Sequence, residues 1–429
     1  MAPTTTASPS PLKVAVLGAG NRGADVYADL ISRQPNVARI AAIADPDPAK
    51  LTAAGRRFGL TESALFTEPP ELLSRTDGLD AVVVATPDRF HVGPTVAALE
   101  RGLDVLLEKP IAPDAEGVRT VRDAALRASG SVTVAHVLRY TPFFRTVKEL
   151  LDAGRIGRLV ALQQTENIGY YHFAHSYVRG NWRREADSSP MLLAKACHDL
   201  DIVRWLVGAP CAAVTSVGGL AHFRPENAPA GSTERCLDGC RVERRCPYSA
   251  VRIYLERFGG SRAWPNSVVA PGGDEAALRQ ALVTGPYGRC VYRCDNDVAD
   301  HQLVQLEFEN GVAVSLVVQA FSAEITRSLH AMGTHGEMHG DLDRGEIVLE
   351  DFASGRSERY RVGGDGNHAG GDAALVADFL DRLRRRRDGE APGEAPSALT
   401  AAVESHLLAF AAERSRQEQR RVAADATGL

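Results

Sequence analysis

The segment that most constrains the fold is a short apolar run, Val14 to Leu17, which breaks into Gly18-Ala19-Gly20-Asn21-Arg22-Gly23. A helix-like stretch follows, and then Ala41-Ala42-Ile43-Ala44-Asp45. A strand, a glycine turn, a helix and an acidic residue about 20 positions on are the parts a bound dinucleotide requires. Gly18 permits the turn off the strand, Gly20 lets backbone approach a pyrophosphate, and Gly23 allows the helix to pack closely on the strand. The helix start at Asn21 and Arg22 offers N–H groups to the phosphates. Asp45 is placed to accept hydrogen bonds from the adenosine ribose. It is followed by Pro46, Asp47 and Pro48, so a 2'-phosphate meets no adjacent cation, and NAD is favoured over NADP.

The alternation of strand and helix continues. Leu79 to Thr86 reads as a strand buried on both faces, and it ends in Thr86-Pro87 with His91 close behind. Asp104 to Leu107 is a second such strand, delivering Glu108-Lys109-Pro110 at its carboxyl end. Ligands of open α/β sheets bind beyond those ends, which adds Thr86, Pro87, His91, Glu108 and Lys109 to the cofactor candidates. A last strand, Ser131 to His136, closes the series near Tyr140. A cofactor domain over residues 11–140 is expected, after an unstructured start at residues 1–10.

With 429 residues the chain is long enough for about two or three domains. Charged residues make up 24% and the formal net charge is −5, which gives no polyanion-binding surface and no nucleic-acid partner. Apolar runs fall far short of the roughly 20 residues of a membrane span, and the first residues lack the pattern of a signal peptide. A cytoplasmic location is the default expectation. The basic run Arg382 to Arg387 around Leu383 reads as a solvated helix face.

Ser189 to Gly208 reads as a helix with Pro190 in its first turn and Gly208 at its stop. Lys195, His198, Asp199 and Ile202 share one face of it. Before it lies Glu166 to Arg183, dense in aromatic and polar side chains. Such a surface suits a carbohydrate, whose C–H face stacks on rings while its hydroxyls need fixed partners. Tyr140, Tyr171, His175, Trp182 and Arg183 are the substrate-binding candidates. His301 to Val318 reads as two strands joined by an Asn310-Gly311 hairpin turn.

Cys236, Cys240, Cys246, Cys290 and Cys294, five of the chain's seven cysteines, cluster in an apparent insertion over residues 226–296. Thiolates at short spacing in a cytosolic protein point to a metal before disulfides. A structural zinc held by Cys236, Cys240, Cys246 and Cys290, with Cys294 the alternative fourth ligand, is the leading reading. An iron–sulfur cluster, unligated thiols and disulfides are the others.

The glycine turn, Thr86-Pro87 with His91, Glu108-Lys109-Pro110, the His198-x-x-Asp201 helix and the segment Glu404 to Phe410 together make this chain resemble the glucose-fructose oxidoreductase / inositol dehydrogenase (Gfo/Idh/MocA) family. The resemblance implies an α/β protein: an N-terminal Rossmann domain with a doubly wound parallel sheet, and a C-terminal α+β domain with a large, mostly antiparallel open sheet. The latter would occupy residues 141–380, followed by a linker and helix at 381–429. It further implies hydride transfer between NAD and a sugar, sugar derivative or cyclitol, and a homo-oligomer, dimer or tetramer. Lys109 would stabilise and relay charge on the reacting oxygen, and His198 would be its acid–base partner. Where many relatives carry Asp four residues before that histidine, this chain has Ala194, followed by Lys195 as a polar substrate contact or second relay. An NAD-recycling glycoside hydrolase and a non-catalytic NAD-binding regulator are the alternative classes.

Overall fold

The opening apolar run is β1 (Leu12–Leu17), buried along nearly its whole length, in a computed structural model that describes residues 10–364 and 367–424. The expected unstructured start lies outside the described residues except for Ser10. β1 is joined by β2 (Ala38–Ala44), β3 (Leu65–Phe66), β4 (Ala81–Val84), β5 (Asp104–Leu107) and β6 (Val132–Val134) in a six-stranded sheet of order β3-β2-β1-β4-β5-β6. All its pairings are parallel. Parallel neighbours need crossovers, and the helical segments between strands supply them. These are a wide turn of helix over Asn21–Ala28 running into α1 (Asp29–Ser32), then α2 (Pro48–Phe58), α3 (Pro69–Arg75), α4 (Val92–Glu100) and α5 (Ala115–Arg127). The strand order reverses between β1 and β4, which is where ligands bind in such sheets.

The first compact unit comprises residues 1–141 with 365–403, and the second comprises 142–364 with 404–429. The boundary expected at residue 380 is corrected by α11 (Gly371–Arg387). Its Leu375, Val376, Phe379, Leu380 and Leu383 form one helical stripe, and they share a core with Leu12, Val14, Val16 and Tyr140. On its polar side Arg382, Arg384 and Arg385 pair with Asp378, Asp381 and Glu390.

The second unit holds α6 (Pro142–Asp152) and a nine-stranded sheet of order β14-β13-β12-β11-β7-β10-β9-β8-β15. Its strands are β7 (Leu159–Asn167), β8 (Cys211–Gly219), β9 (His301–Phe308), β10 (Ala313–Gln319), β11 (Thr326–Gly333), β12 (Gly336–Asp341), β13 (Glu346–Asp351), β14 (Ser357–Arg361) and β15 (Val422–Ala423). Only β7 and β10 run parallel; the other pairs are antiparallel. The Asn310-Gly311 turn joins β9 to β10, with Gly311 at φ 82°. α7 (Tyr170–Phe173) follows β7, α8 (Met191–Val207) packs on the sheet, and α12 (Leu399–Glu418) runs up to β15.

β8 and β9 are adjacent and antiparallel, and their register ends on Gly219 opposite His301. A turn of two residues would connect such strands. Here everything from Leu220 to Asp300 lies between them, including α9 (Asn266–Val269) and α10 (Glu275–Thr284), and the Asp300 N–H closes the loop on Gly219 O at 2.9 Å. This is the cysteine-bearing insertion, slightly wider than the expected 226–296.

Candidate functional site

In the first unit, Gly18 sits at φ +98°, and a Cβ on it would lie 2.4 Å from the carbonyl oxygen of Ala85. A Cβ on Gly23 would meet the oxygen of Gly18 at 1.8 Å. Only glycine lets helix, turn and β4 approach this closely. Gly20 is different, because a Cβ there would meet nothing within 4 Å. It begins the helix at Asn21 with no side-chain cap. Open space in front of uncapped helix N–H groups fits a pyrophosphate. Asp45 is buried at the end of β2; its Oδ2 accepts from the Ala19 N–H at 2.8 Å and its Oδ1 from the Asp47 N–H at 2.9 Å. A carboxylate has about four lone-pair sites, so acceptors for a ribose remain.

Arg22 was expected at the cofactor through its backbone N–H; its guanidinium turns inward. It pairs with Glu108 at 2.5 Å and with Asp372 of α11 at 2.6 Å, and it also donates to the Tyr27 hydroxyl. Burial works against the charge on Glu108, and the Arg22 guanidinium, helped by Lys109 and Tyr27, holds the carboxyl below its usual range. Glu108 Oε2 in turn accepts from the backbone N–H of Lys109 at 2.9 Å. Glu108 therefore positions the Lys109-Pro110 turn, whose peptide bond is cis.

His91 is likewise a staple. Its ring nitrogens lie 2.6 Å from Pro110 O and 2.8 Å from Thr86 O, which joins the Thr86-Pro87 turn after β4 to the turn after β5. Lys109 itself is half-buried at the carboxyl end of β5. Its charge reaches His136, which burial above all, then Arg139 and Lys109, pushes down to about 3. Tyr140, expected at the substrate, has its ring buried in the core and its hydroxyl 3.1 Å from Asp378 Oδ2 and 3.3 Å from Ser397 Oγ.

In the second unit, α8 starts after Pro190 and stops at Gly208, which is left-handed at φ 69°. His198 and Ala194 are buried on it. Lys195 Nζ lies 3.1 Å from Glu166 Oε1 of β7. The other Glu166 oxygen is 2.6 Å from Arg327 Nε of β11, which also donates to Asp199 Oδ1 at 3.0 Å. Gln164 of β7 donates to the same Asp199 oxygen at 2.8 Å. Two cations and two carboxylates thus balance in one buried network. Burial nevertheless pushes the Glu166 carboxyl above its usual range, against the pull of Arg327 and Lys195. Glu166 and Arg327 were absent from the sequence-based site. The available signal was the period of β7, where Leu162, Gln164 and Glu166 alternate inward.

The aromatic stretch turns toward the insertion. Tyr171 packs 5.4 Å from Phe258 with the Arg257 guanidinium 4.4 Å from its ring centroid. His175 stacks on Tyr287 at 4.7 Å, and its Nδ1 lies 2.9 Å from the Tyr254 hydroxyl. Burial, then Arg179, pushes the His175 imidazole down to about 3. Arg183 forks onto Asp295 at 2.9 and 3.1 Å. Trp182 lies 6.1 Å from the Tyr177 ring. Tyr171, His175 and Arg183, expected at the sugar, thus make these contacts with the insertion: an aromatic and charged seam suited to a ring substrate also suits a packed insertion.

Among the described residues, one set of three metal-type side chains brings ligand atoms within 4.8 Å of one another: His330, Glu337 and His339 of β11 and β12. The cysteines are not gathered that tightly, so the expected four-sulfur cage is not preformed. Cys236, Cys240, Cys246 and Cys290 do line one cavity. Cys294 directs its thiol to the Cys290 carbonyl at 3.3 Å.

A doubly wound parallel sheet with an open glycine turn and an acid at the end of its second strand, on a chain that carries a large open sheet as a second unit, defines a dinucleotide-binding fold. The chain belongs to the Gfo/Idh/MocA oxidoreductase family: it matches "Oxidoreductase family, NAD-binding Rossmann fold" over residues 12–136 and "Oxidoreductase family, C-terminal alpha/beta domain" over residues 148–423. It is 27% identical to the Bacillus subtilis protein YteT over 400 residues, 87% of this chain and 90% of that one. It is 37% identical to an inositol 2-dehydrogenase of Streptomyces avermitilis over 206 residues, 48% of this chain and 55% of that protein, so it spans about half of that relative. A levoglucosan dehydrogenase solved with NADH and levoglucosan has the same fold, with TM-score 0.70 over 96% of this chain and 99% of that one at 17% identity. No helix among the described residues is long and apolar enough to cross a membrane.

Proposed function

We propose that this protein is an NAD-dependent dehydrogenase that oxidises or reduces one carbon of a sugar, sugar derivative or cyclitol. The observation that carries the reading is the open, uncapped turn at Gly20, framed by Asp45, in the same unit that presents Lys109 beyond β5. NAD, when bound, supplies a hydride acceptor at its nicotinamide. The chain supplies the rest. Lys109, whose backbone N–H is held by Glu108, donates a hydrogen bond to the reacting oxygen and stabilises alkoxide charge as the C–H bond breaks. By family resemblance His198 takes the hydroxyl proton, and Lys195, 3.1 Å from the buried Glu166, is a donor to substrate hydroxyls. The 2'-hydroxyl of NAD suits Asp45 better than a 2'-phosphate, and assembly through the outer face of the nine-stranded sheet completes the reading.

The test is absorbance at the NADH wavelength, with purified protein and NAD screened against polyols, cyclitols and glycosides. NADH accumulating with one polyol, and lost in Lys109→Ala, is the expected result. Glycoside cleavage without net NADH would overturn it in favour of an NAD-recycling hydrolase.

A further inference from the structure

The dehydrogenase reading leaves the cysteines of the insertion unused. Four of them, Cys236, Cys240, Cys246 and Cys290, line a single cavity of about 10 Å³, room for roughly one water-sized sphere. They arrive from two stretches of chain. An isolated bridge pairs Arg235 with Arg289, the Cys236 N–H donates to Gly288 O at 3.0 Å, and the Cys290 N–H donates to Glu234 O at 2.8 Å. That ladder puts Cys236 and Cys290 on one face as diagonal neighbours. Cys240 and Cys246 flank a tight helical turn, Glu243–Arg245, where the Cys246 N–H closes on Val242 O at 2.9 Å. The Ala250 N–H donates to the Cys236 sulfur at 3.3 Å, the kind of outer bond that orients a thiolate ligand.

A second observation concerns charge. Arg179 also lines this cavity and is 1% exposed. Its guanidinium donates to Arg289 O at 2.8 Å, to Tyr248 O at 2.7 Å and, more weakly, to the Cys236 sulfur at 3.8 Å. Its Nη1 has no hydrogen-bond partner, and no carboxylate pairs with it among the described residues. A full charge buried without a counter-charge is strongly unfavourable. Neutral thiols do not supply one. A divalent ion on four thiolates carries a net charge of −2 (2 − 4), so occupation of the cavity accounts for the cation as well as for the cysteines.

We propose that Cys236, Cys240, Cys246 and Cys290 bind one structural zinc ion as a four-thiolate site, with Arg179 as its counter-charge. The ion draws the sulfurs in and ties the two ends of the insertion together. Cys294 stays outside the ligand set because its thiol is directed to a carbonyl.

The readout is metal content, not turnover, so the proposal stands or falls apart from the dehydrogenase reading. Elemental analysis of the full-length protein should find about one zinc per chain, retained in Cys294→Ser and lost in Cys290→Ser. Should Cys290→Ser be insoluble, X-ray absorption at the zinc edge of the unmodified protein decides, with an all-sulfur shell at about 2.3 Å expected. Four results overturn the proposal: no metal with all thiols titratable, disulfides in the non-reduced protein, iron with inorganic sulfide, or zinc with a nitrogen and oxygen shell that is lost in His330→Ala.

Discussion

Asp45 has two duties at the scale of one side chain. In the proposed function it accepts from the ribose, and in the structure it ties Ala19 of the glycine turn to β2 at 2.8 Å. Asp45→Ala should therefore lose both NAD binding and stability, whereas Lys109→Ala should lower turnover by about 10²–10⁴-fold and leave NAD binding intact. Isothermal titration and steady-state kinetics separate the two. Asp372 is the clearest case of pH linkage. Burial opposes its charge, but the His368 hydrogen bond and the Arg22 guanidinium pull its pKa down to about 2 from an ordinary 3.8. Because the folded value is depressed, this stabilisation is complete above about pH 4 and lost as pH falls toward 2. It amounts to about 2 kcal/mol at neutral pH. Denaturation of Asp372→Asn should show that loss at pH 7 and converge with the unmodified protein at low pH. The glycine turn was legible in the sequence because local geometry fixes it. Arg22 was not, because its partners, Glu108 and Asp372, are remote in the chain.

Among the elements, α8, β7 and β11 are joined by charges that no single segment displays. Glu166, Asp199 and Arg327 each look like surface residues until the strands pair Glu166 with Arg327 across the ladder. Arg327→Met should cost about 3–5 kcal/mol in urea denaturation, because two buried carboxylates are left with one cation. The double change Arg327→Met with Asp199→Leu should recover part of it. The packing of the aromatic seam was hidden for a related reason: Tyr171 and His175 carry the composition of a sugar site, and only the insertion's path shows what covers them. His175, held down to about 3, is neutral in the fold and protonates in the unfolded chain below about pH 6.5. Its contribution is thus present above pH 6.5 and lost as pH falls toward 3, at about 1.4 kcal/mol per pH unit. His175→Phe, which can keep the stack on Tyr287, should flatten that dependence.

For the whole molecule, ligand linkage gives a direct measure of the cofactor preference. NAD at about 100 times its Kd should raise stability by about 2.7 kcal/mol, visible as a thermal shift, while NADP at the same concentration should give little. Both sheets were legible from the sequence, the first from its buried strand rhythm and the second through family resemblance. The return of α11 to the first core was not, since its apolar stripe does not say which core it joins. The register of β8 and β9 carries a broader meaning. Because the ladder is already closed at Gly219 and His301, the sheet has no stake in what is threaded between those two residues. A whole subdomain can be acquired, exchanged or discarded at that point in the history of such a chain without one rung of the sheet being rewritten.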